Sequence, residues 1–356
     1  MDQKYDHIDS HKLRYHPIRL AEWYQGKNIY PLFVELSPIN ICNYRCQFCA
    51  FDYTGYKGSV LSEETLLGLI KDLADIGVKS IVFAGTGEPL LHKGLANVIE
   101  AAYRAGLDIG LSTNGYFMTD AIADKILPFL TWIRFSFNAG TPESYGLIHG
   151  CKPEAFNTVV KNISCCVNIK REKGLPVTLG MQSLILKGNQ ADALKMAVLG
   201  KRIGVEYLSF KPFSPHPMSL NENTGEQQLL LEEDALKDLH RLSDAQYQII
   251  VRKNAIKALT HGKKQYKKCL GLPFACYVEA DGNIYACNTF VGDKNAVYGN
   301  IHESSFSQIW NSTRKKETMA RLSNLAQGKC RHACRMDAIN NYLWDVKNPP
   351  SHVNFI

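Results

Sequence analysis

The residues able to do unusual chemistry in this chain are thiols, and they fall into two groups. Cys42, Cys46 and Cys49 stand together in ICNYRCQFCAFD, a Cys-x3-Cys-x2-Cys spacing. Cys269, Cys276, Cys287, Cys330 and Cys334 come much later, and Cys151, Cys165 and Cys166 lie between in no ligand-like spacing. A total of 11 is odd, which argues against a closed disulfide framework. Clustered thiols in a reducing compartment more often bind metal than bridge one another. Three thiolates on one tight loop can each hold one iron of a four-iron four-sulfur cluster, leaving the fourth iron open to a small molecule. Zinc competes for such sites, but it takes four ligands, and no fourth stands near this loop. The late group, Cys269-x12-Gly282-x4-Cys287 and then Cys330-x3-Cys334, supplies four thiols. Four can close every corner of a second cluster, although zinc suits them equally by count.

The elements that must position these thiols alternate along the chain. Apolar, β-rich runs occur at 32–36, 80–84, 108–112, 132–137, 177–186 and 207–210. Between them lie helical patterns. One opens at Ser62 with Glu63 and Glu64 behind it and a stripe of Leu66, Leu67, Ile70, Leu73 and Ile76. Others cover 93–105, 119–130, 153–172 and 190–204. Six strands alternating with five helices predict right-handed βαβ units around a parallel sheet, an α/β fold. The run SPHPMSLNENTGEQQ then reads as a loop and boundary, followed by a helix near 232–244. From Cys269 the segments are short and turn-rich, with Asp281-Gly282-Asn283 as a hairpin turn. The expected division is an N-terminal arm (1–30), the βα unit (31–215), a linker and helix (216–262), a smaller cysteine-organised unit (263–347) and a tail (348–356).

Composition narrows the function classes. With 356 residues, 45% of them hydrophobic and 21% charged, the chain has an ordinary globular balance and enough length for a sizeable core. The net charge of +7 is spread out, and its densest cluster, Lys263, Lys264, Lys267 and Lys268, is short. That distribution fits a solvated surface better than a nucleic-acid interface. No apolar run of about 20 residues could span a bilayer. The polar, His-rich start lacks the apolar core of a secretory signal, so a cytoplasmic location is expected.

The motifs around the first thiols carry a family resemblance. Cys42-Asn43-Tyr44-Arg45-Cys46-Gln47-Phe48-Cys49, with an aromatic just before the third cysteine, resembles the signature of radical S-adenosylmethionine (radical SAM) enzymes. In that family the open iron binds S-adenosylmethionine, and the resemblance implies that Phe48 packs on its adenine. Gly85-Thr86-Gly87-Glu88-Pro89 resembles the family's Gly-Gly-Glu-Pro motif, which implies that Gly85, Gly87 and Glu88 meet the methionine amino group; Thr86 departs from the pattern. Ser112 and Asn114, Ser136 and Asn138, and Gln182 resemble the polar strand ends that reach the cofactor ribose or the substrate. All lie at carboxyl ends of strands, where α/β folds place ligands. The implied fold is a partial (β/α)6 barrel. The spacing from Cys269 to Cys287, with Tyr298-Gly299-Asn300-Ile301 and Phe306-x3-Trp310 after it, resembles SPASM and twitch auxiliary-cluster domains. Too few cysteines remain for a full SPASM set. The shortened twitch form is implied, with Cys269, Cys287, Cys330 and Cys334 as metal ligands of one auxiliary 4Fe-4S cluster. Cys276 stays open as a replacement ligand or a hydrogen-atom donor.

Two 4Fe-4S clusters and S-adenosyl-L-methionine imply reductive cleavage to a 5′-deoxyadenosyl radical, fed by an electron donor such as flavodoxin or ferredoxin. A fully ligated second cluster suits electron transfer, so oxidation of an alcohol to a ketone is expected. The cysteine spacing is similar to that of the twitch-domain dehydrogenase of butirosin biosynthesis. Some thirty residues before the first strand are few for a peptide-recognition domain, which favours a small polar substrate of the sugar or aminocyclitol kind. Lys211, His216 and Arg134 lie near strand ends where they could bind hydroxyls or a phosphate, or accept a proton. An epimerase with a thiol donor, a decarboxylase or dehydratase, a peptide-maturing enzyme and a non-enzymatic iron–sulfur carrier are the alternatives.

Overall fold

The computed structural model describes residues 6–221, 231–261 and 264–355. Part of the loop expected after 214, and Lys263, lie outside the described residues. Seven strands pair in sequence order, all parallel: β1 (Phe33–Leu36), β2 (Ser80–Phe83), β3 (Asp108–Thr113), β4 (Trp132–Ser136), β5 (Thr178–Ile185), β6 (Tyr207–Pro212) and β7 (Gln248–Val251). The six strands expected from sequence are all present, and β7 continues the winding. A parallel sheet wound in strict order turns every crossover to one side, which curls it toward a barrel rather than a doubly wound sheet.

The strands carry that division in their residues. Side chains alternate between faces with period two. Ile81 and Phe83, Ile109 and Leu111, Ile133 and Phe135, and Leu179 and Met181 are fully buried. They face the crossover helices, and each such side chain contributes about 1.5–3 kcal/mol by leaving water. The intervening positions are polar and only half-buried: Ser112, Arg134, Ser136, Gln182 and Lys211. In-register partners share a face, and Ser112 pairs Arg134, Arg134 pairs Gly180, and Gln182 pairs both Ser136 and Ser209. The polar positions therefore line one lumen. Its floor is filled by Trp132 and Tyr207, whose rings pass so close to Gly110 and Gly180 that any Cβ there would collide with them.

After α1 (Pro17–Tyr24) come the outer helices, α2 (Glu63–Asp75), α3 (Leu95–Arg104) and α4 (Asp120–Ile126), the short α5 (Pro142–His149), then α6 (Ala155–Lys173) and α7 (Ala193–Ile203). Ser62 and Thr119 cap α2 and α4 by accepting from backbone N–H groups of Thr65 and Ile122. Past α8 (Glu233–Arg241) and α9 (Lys253–His261), the cysteine-rich segment joins the same sheet. β8 (Ala275–Val278) lies parallel to β1, and β9 (Asn283–Tyr285) and β10 (Val297–Asn300) follow antiparallel, making ten strands. The hairpin turns at Gly282, whose φ of 85° is the left-handed conformation that glycine allows. Then α10 (Phe306–Asn311), α11 (Thr313–Lys329) and α12 (Asp337–Lys347) close the chain. Leu343 of α12 packs in one small core with Trp23 of α1 and Phe274.

Candidate active site

The cysteine loop leaves β1 at the carboxyl end of the sheet and is held by its neighbours' backbone. Arg45 and Gln47 donate N–H bonds to the carbonyls of His149 and Ile148, which end α5. Terminal helix carbonyls have no partner within the helix, so the loop satisfies them. Gly150, at φ 57°, ends α5 so close to the Arg45 carbonyl that no side chain fits. On the other side Gly87 packs against the backbone of Ile39 and Ile41 with no space for a Cβ, and Glu88 N–H donates to the Ile41 carbonyl at 2.8 Å. The glycine of this motif thus admits the cysteine loop.

Burial pushes the Cys42 thiol up to about 11, and raises Cys46 and Cys49 as well. Left alone, such thiols stay protonated. Yet each sulfur has its own donor. Tyr44 N–H reaches Cys42 Sγ at 3.5 Å and Tyr56 O–H reaches Cys49 Sγ at 3.4 Å. His149 Nδ1 stands 3.6 Å from Cys46 Sγ. The Asn138 N–H points at Nε2 from 3.3 Å, so Nε2 accepts and the ring proton sits on Nδ1, aimed at the sulfur. Burial holds this histidine down at about 3, hence neutral. Donors aimed at three sulfurs suit thiolates that share their charge with metal, so the residues fit a cluster. Among the described residues no three such side chains converge as around a single metal ion; a four-iron cube spreads its ligands over separate corners.

The other expected site residues divide. Phe48 is half-buried, its ring edge-on to His149 at 5.3 Å. Gly85 lies against Ser37. Glu88 is buried and accepts from Thr113 Oγ1 at 2.5 Å, Asn114 N–H at 2.8 Å and Leu90 N–H at 3.1 Å. Burial nonetheless raises its pKa. A carboxylate has about four acceptor positions, so one is left, on Oε2. Asn114 bonds Asn43 of the cysteine loop at 2.8 Å, which fixes that loop to β3. Asn138 is 1% exposed, and its Oδ1 accepts from the Leu184 N–H at 2.7 Å, which ties the end of β4 to β5. Ser112, Ser136 and Gln182 face the lumen, and Gln182 Oε1 accepts from Arg252 at 3.2 Å.

The second thiol group also assembles. Cys269, Cys287 and Cys330 all lie within electrostatic reach of Cys334, and burial raises each thiol. Asn340 donates to Cys269 Sγ at 3.5 Å and Met336 N–H to Cys334 Sγ at 3.4 Å. Cys276 does not join them in register. It pairs Val34 on the apolar face of β8, whereas Tyr277 pairs Glu35 on the lumen face. Cys166 is a buried residue of α6, and Cys151 follows α5 within reach of the Tyr44 hydroxyl.

Several lumen groups escape a sequence reading because their partners are distant in the chain. Arg335, beside Cys334, pairs with Glu35 of β1. Glu279, just past β8, accepts from Thr86 Oγ1 at 2.6 Å, so the threonine that departs from the glycine motif ties β2 to the cysteine-rich segment. Glu279 Oε2 is buried and makes no full hydrogen bond, with the Tyr277 hydroxyl and the Ala280 N–H close by. Burial pushes this carboxyl from its ordinary 4.5 up to about 7, opposed by the Thr86 bond and reinforced by Asp281. A carboxyl that holds its proton more tightly folded than unfolded contributes stability that is full below pH 4.5 and lost as pH rises through 7. Between about pH 5 and 8, Glu279→Gln should therefore lose less melting temperature than the parent. Melts at both ends of that range check it; equal losses would contradict it.

The chain matches the Radical SAM superfamily over residues 36–193 and the SPASM iron–sulfur cluster-binding domain over residues 269–335. Similar sequences include a probable GTP 3′,8-cyclase of Saccharolobus islandicus (strain M.14.25 / Kamchatka #1), 26% identical over 198 residues, 55% of this chain and 60% of that protein. Another, from Saccharolobus solfataricus, is 25% identical over 255 residues, 71% of this chain and 74% of that protein. This chain thus spans 60% of the length of the first of these relatives. Among solved structures, Streptococcus suis SuiB bound to S-adenosylmethionine superposes with a TM-score of 0.62 at 14% identity, covering 85% of this chain and 70% of SuiB. Native anSMEcpe with bound AdoMet gives 0.58 at 17% identity, covering 90% and 100%. Such identities speak to the fold alone. Among the described residues no helix is long and apolar enough to cross a membrane. The two matched regions fall where the two thiol groups assemble, and the chain carries a radical SAM domain followed by a C-terminal SPASM-type iron–sulfur domain.

Proposed function

We propose that the chain oxidises an alcohol carbon of a small polar substrate, of the sugar or aminocyclitol kind, to a ketone. Cys42, Cys46 and Cys49 would hold a four-iron cluster with one corner free for S-adenosylmethionine; Cys269, Cys287, Cys330 and Cys334 would hold a second with none free. When bound, the first cluster and S-adenosylmethionine supply the radical that takes a hydrogen atom from substrate, and the second cluster accepts the electron released as the carbonyl forms. One electron enters from flavodoxin or ferredoxin and one leaves. Alcohol and S-adenosylmethionine give ketone, 5′-deoxyadenosine, methionine and a proton.

The chain's own residues seat the reactants and take that proton. Phe48, Gly85, Gly87 and Glu88 border the cysteine loop, where a cofactor reaching its bare corner must lie. Ser112, Ser136 and Gln182 offer hydroxyl and amide groups to a polar substrate inside the barrel. The observation that carries the reading is Glu279: buried, one oxygen held by Thr86, the other without a full hydrogen bond beside the Tyr277 hydroxyl, and burial raising its pKa to about 7. A base poised near neutrality can remove a hydroxyl proton, which makes the substrate radical a stronger reductant. The epimerase alternative needs a thiol donor in the lumen, and the register turns Cys276 the other way.

The test is incubation of the reconstituted, reduced enzyme with a panel of sugars, sugar phosphates and aminocyclitols deuterated at the carbinol carbon. Deuterium should appear in 5′-deoxyadenosine with one ketone formed per 5′-deoxyadenosine. An isomer carrying solvent hydrogen would replace this reading with epimerisation. A second reading is favoured by the relatives named as GTP 3′,8-cyclases; a cyclised nucleotide formed from GTP in the same assay would establish it instead.

A further inference from the structure

The lumen opposite Glu279 is cationic, and most of its cations are not neutralised. Arg134 on β4, Lys211 on β6 and Arg252, two residues past Ile250 of β7, share the inward face. Arg134 registers with Gly180, Gln182 with Ser209, Leu184 with Lys211, and Ser209 with Ile250. Arg252 is fixed there by bonds from Nε to Ser209 Oγ and from Nη2 to Gln182 Oε1, both 3.2 Å. Arg331 approaches from the cysteine-rich segment, held by the Ser214 carbonyl. Arg134 Nε and Arg331 Nε are buried with no hydrogen-bond partner. A buried guanidinium donor left unpaired costs free energy that a bound acceptor would recover.

The balance of charge says what kind of acceptor. Arg335 is paired with Glu35. Arg331 feels the nearby Cys334 thiol, so part of its charge belongs to the second cysteine group. Arg134, Lys211 and Arg252 remain, faced by Asp9, whose carboxylate accepts from the Asn254 N–H at 2.7 Å and is itself raised by burial. Burial and the surrounding arginines drive Lys211 down to about 7. Among the described residues, three basic side chains face one carboxylate, a positive excess that suits a phosphate group better than a single carboxylate. Neutral sugar hydroxyls would leave this excess uncompensated.

We propose that Arg134, Lys211 and Arg252 form an oxyanion site for a phosphate group of the substrate, on the side of the lumen facing Glu279. The inference rests on the lumen being the substrate chamber, and it deepens that reading by naming a phosphorylated substrate. Gln182 and Ser209 then act as positioning residues, holding the Arg252 guanidinium toward the anion.

The experiment measures binding of inorganic phosphate and of acetate to the reconstituted protein by calorimetry, for the parent, Arg252→Gln and Lys211→Met. S-adenosylmethionine affinity and 5′-deoxyadenosine release are recorded in parallel. Phosphate should bind the parent and bind each variant at least about tenfold more weakly, as expected on losing a charge-assisted bond. Acetate should bind the parent much less than phosphate. S-adenosylmethionine affinity should be unchanged in both variants. Equal phosphate binding in parent and variants would overturn the proposal, as would acetate binding as tightly as phosphate. A tenfold loss of S-adenosylmethionine affinity instead would assign these cations to the cofactor carboxylate and overturn it too. Loss of 5′-deoxyadenosine release in the parent, with phosphate binding intact, would strike the radical reading and leave the site standing.

Discussion

Cys46→Ser should abolish 5′-deoxyadenosine formation and lower iron from about eight to about four per chain. Of the three thiols on the loop, Cys46 is the one tied to the scaffold through a side chain from another element, with His149 Nδ1–H aimed at its sulfur. Serine keeps the size and the donor's target but not the soft thiolate that iron requires. The loop should stay in place, because it is held by Arg45 and Gln47 N–H bonds to α5 and by Glu88 N–H on the Ile41 carbonyl. Iron analysis, circular dichroism and product chromatography on one preparation separate a lost cluster from a lost fold. Retention of eight irons and of 5′-deoxyadenosine would contradict the assignment.

Cys287→Ser should separate the two halves of the chemistry. It removes one of four thiols that the fold brings together, so about four irons should be lost again. The first site is untouched, since Cys287 lies past β9 while Cys42, Cys46 and Cys49 sit on the loop after β1. The variant should therefore keep 5′-deoxyadenosine release within about twofold of the parent and lose ketone by about a hundredfold or more. Ketone formed at the parent's rate would show that the electron leaves by another route. Loss of both products would mean that the second cysteine group supports the fold of the lumen rather than electron transfer.

How much of this could be read from sequence depends on where each residue's partners lie. The strands from β1 to β6 were legible because one face of each is apolar and because helices such as α2 and α4 begin at plain caps, Ser62 and Thr119. The cysteine loop and Gly-Thr-Gly-Glu-Pro were legible because their chemistry is local. The short helix α5 was not, although Thr141-Pro142 and Gly150 mark both of its ends; eight residues with a weak apolar stripe gave no period to detect. With α5 went His149, the donor to Cys46. The cysteine-rich segment read as a smaller unit, whereas β8 pairs with β1 across more than two hundred residues and continues one sheet. No local pattern encodes that pairing. The same holds for the lumen cations: Arg252 meets Gln182 and Ser209 only after three strands have been laid side by side. Thr86 looked like a small departure from a motif, and its hydroxyl turned out to be bound to Glu279.

The most direct measurement of the bare metal corner is electron–nuclear double resonance on the reduced protein with S-adenosylmethionine labelled with 15N at its amino group and 13C at its carboxyl. Parent and Cys287→Ser should both show hyperfine coupling from the two labels to the cluster held by Cys42, Cys46 and Cys49, and Cys46→Ser should show none. A reduced cluster whose spectrum ignores the labelled cofactor, or zinc in place of iron on that loop, would contradict the assignment.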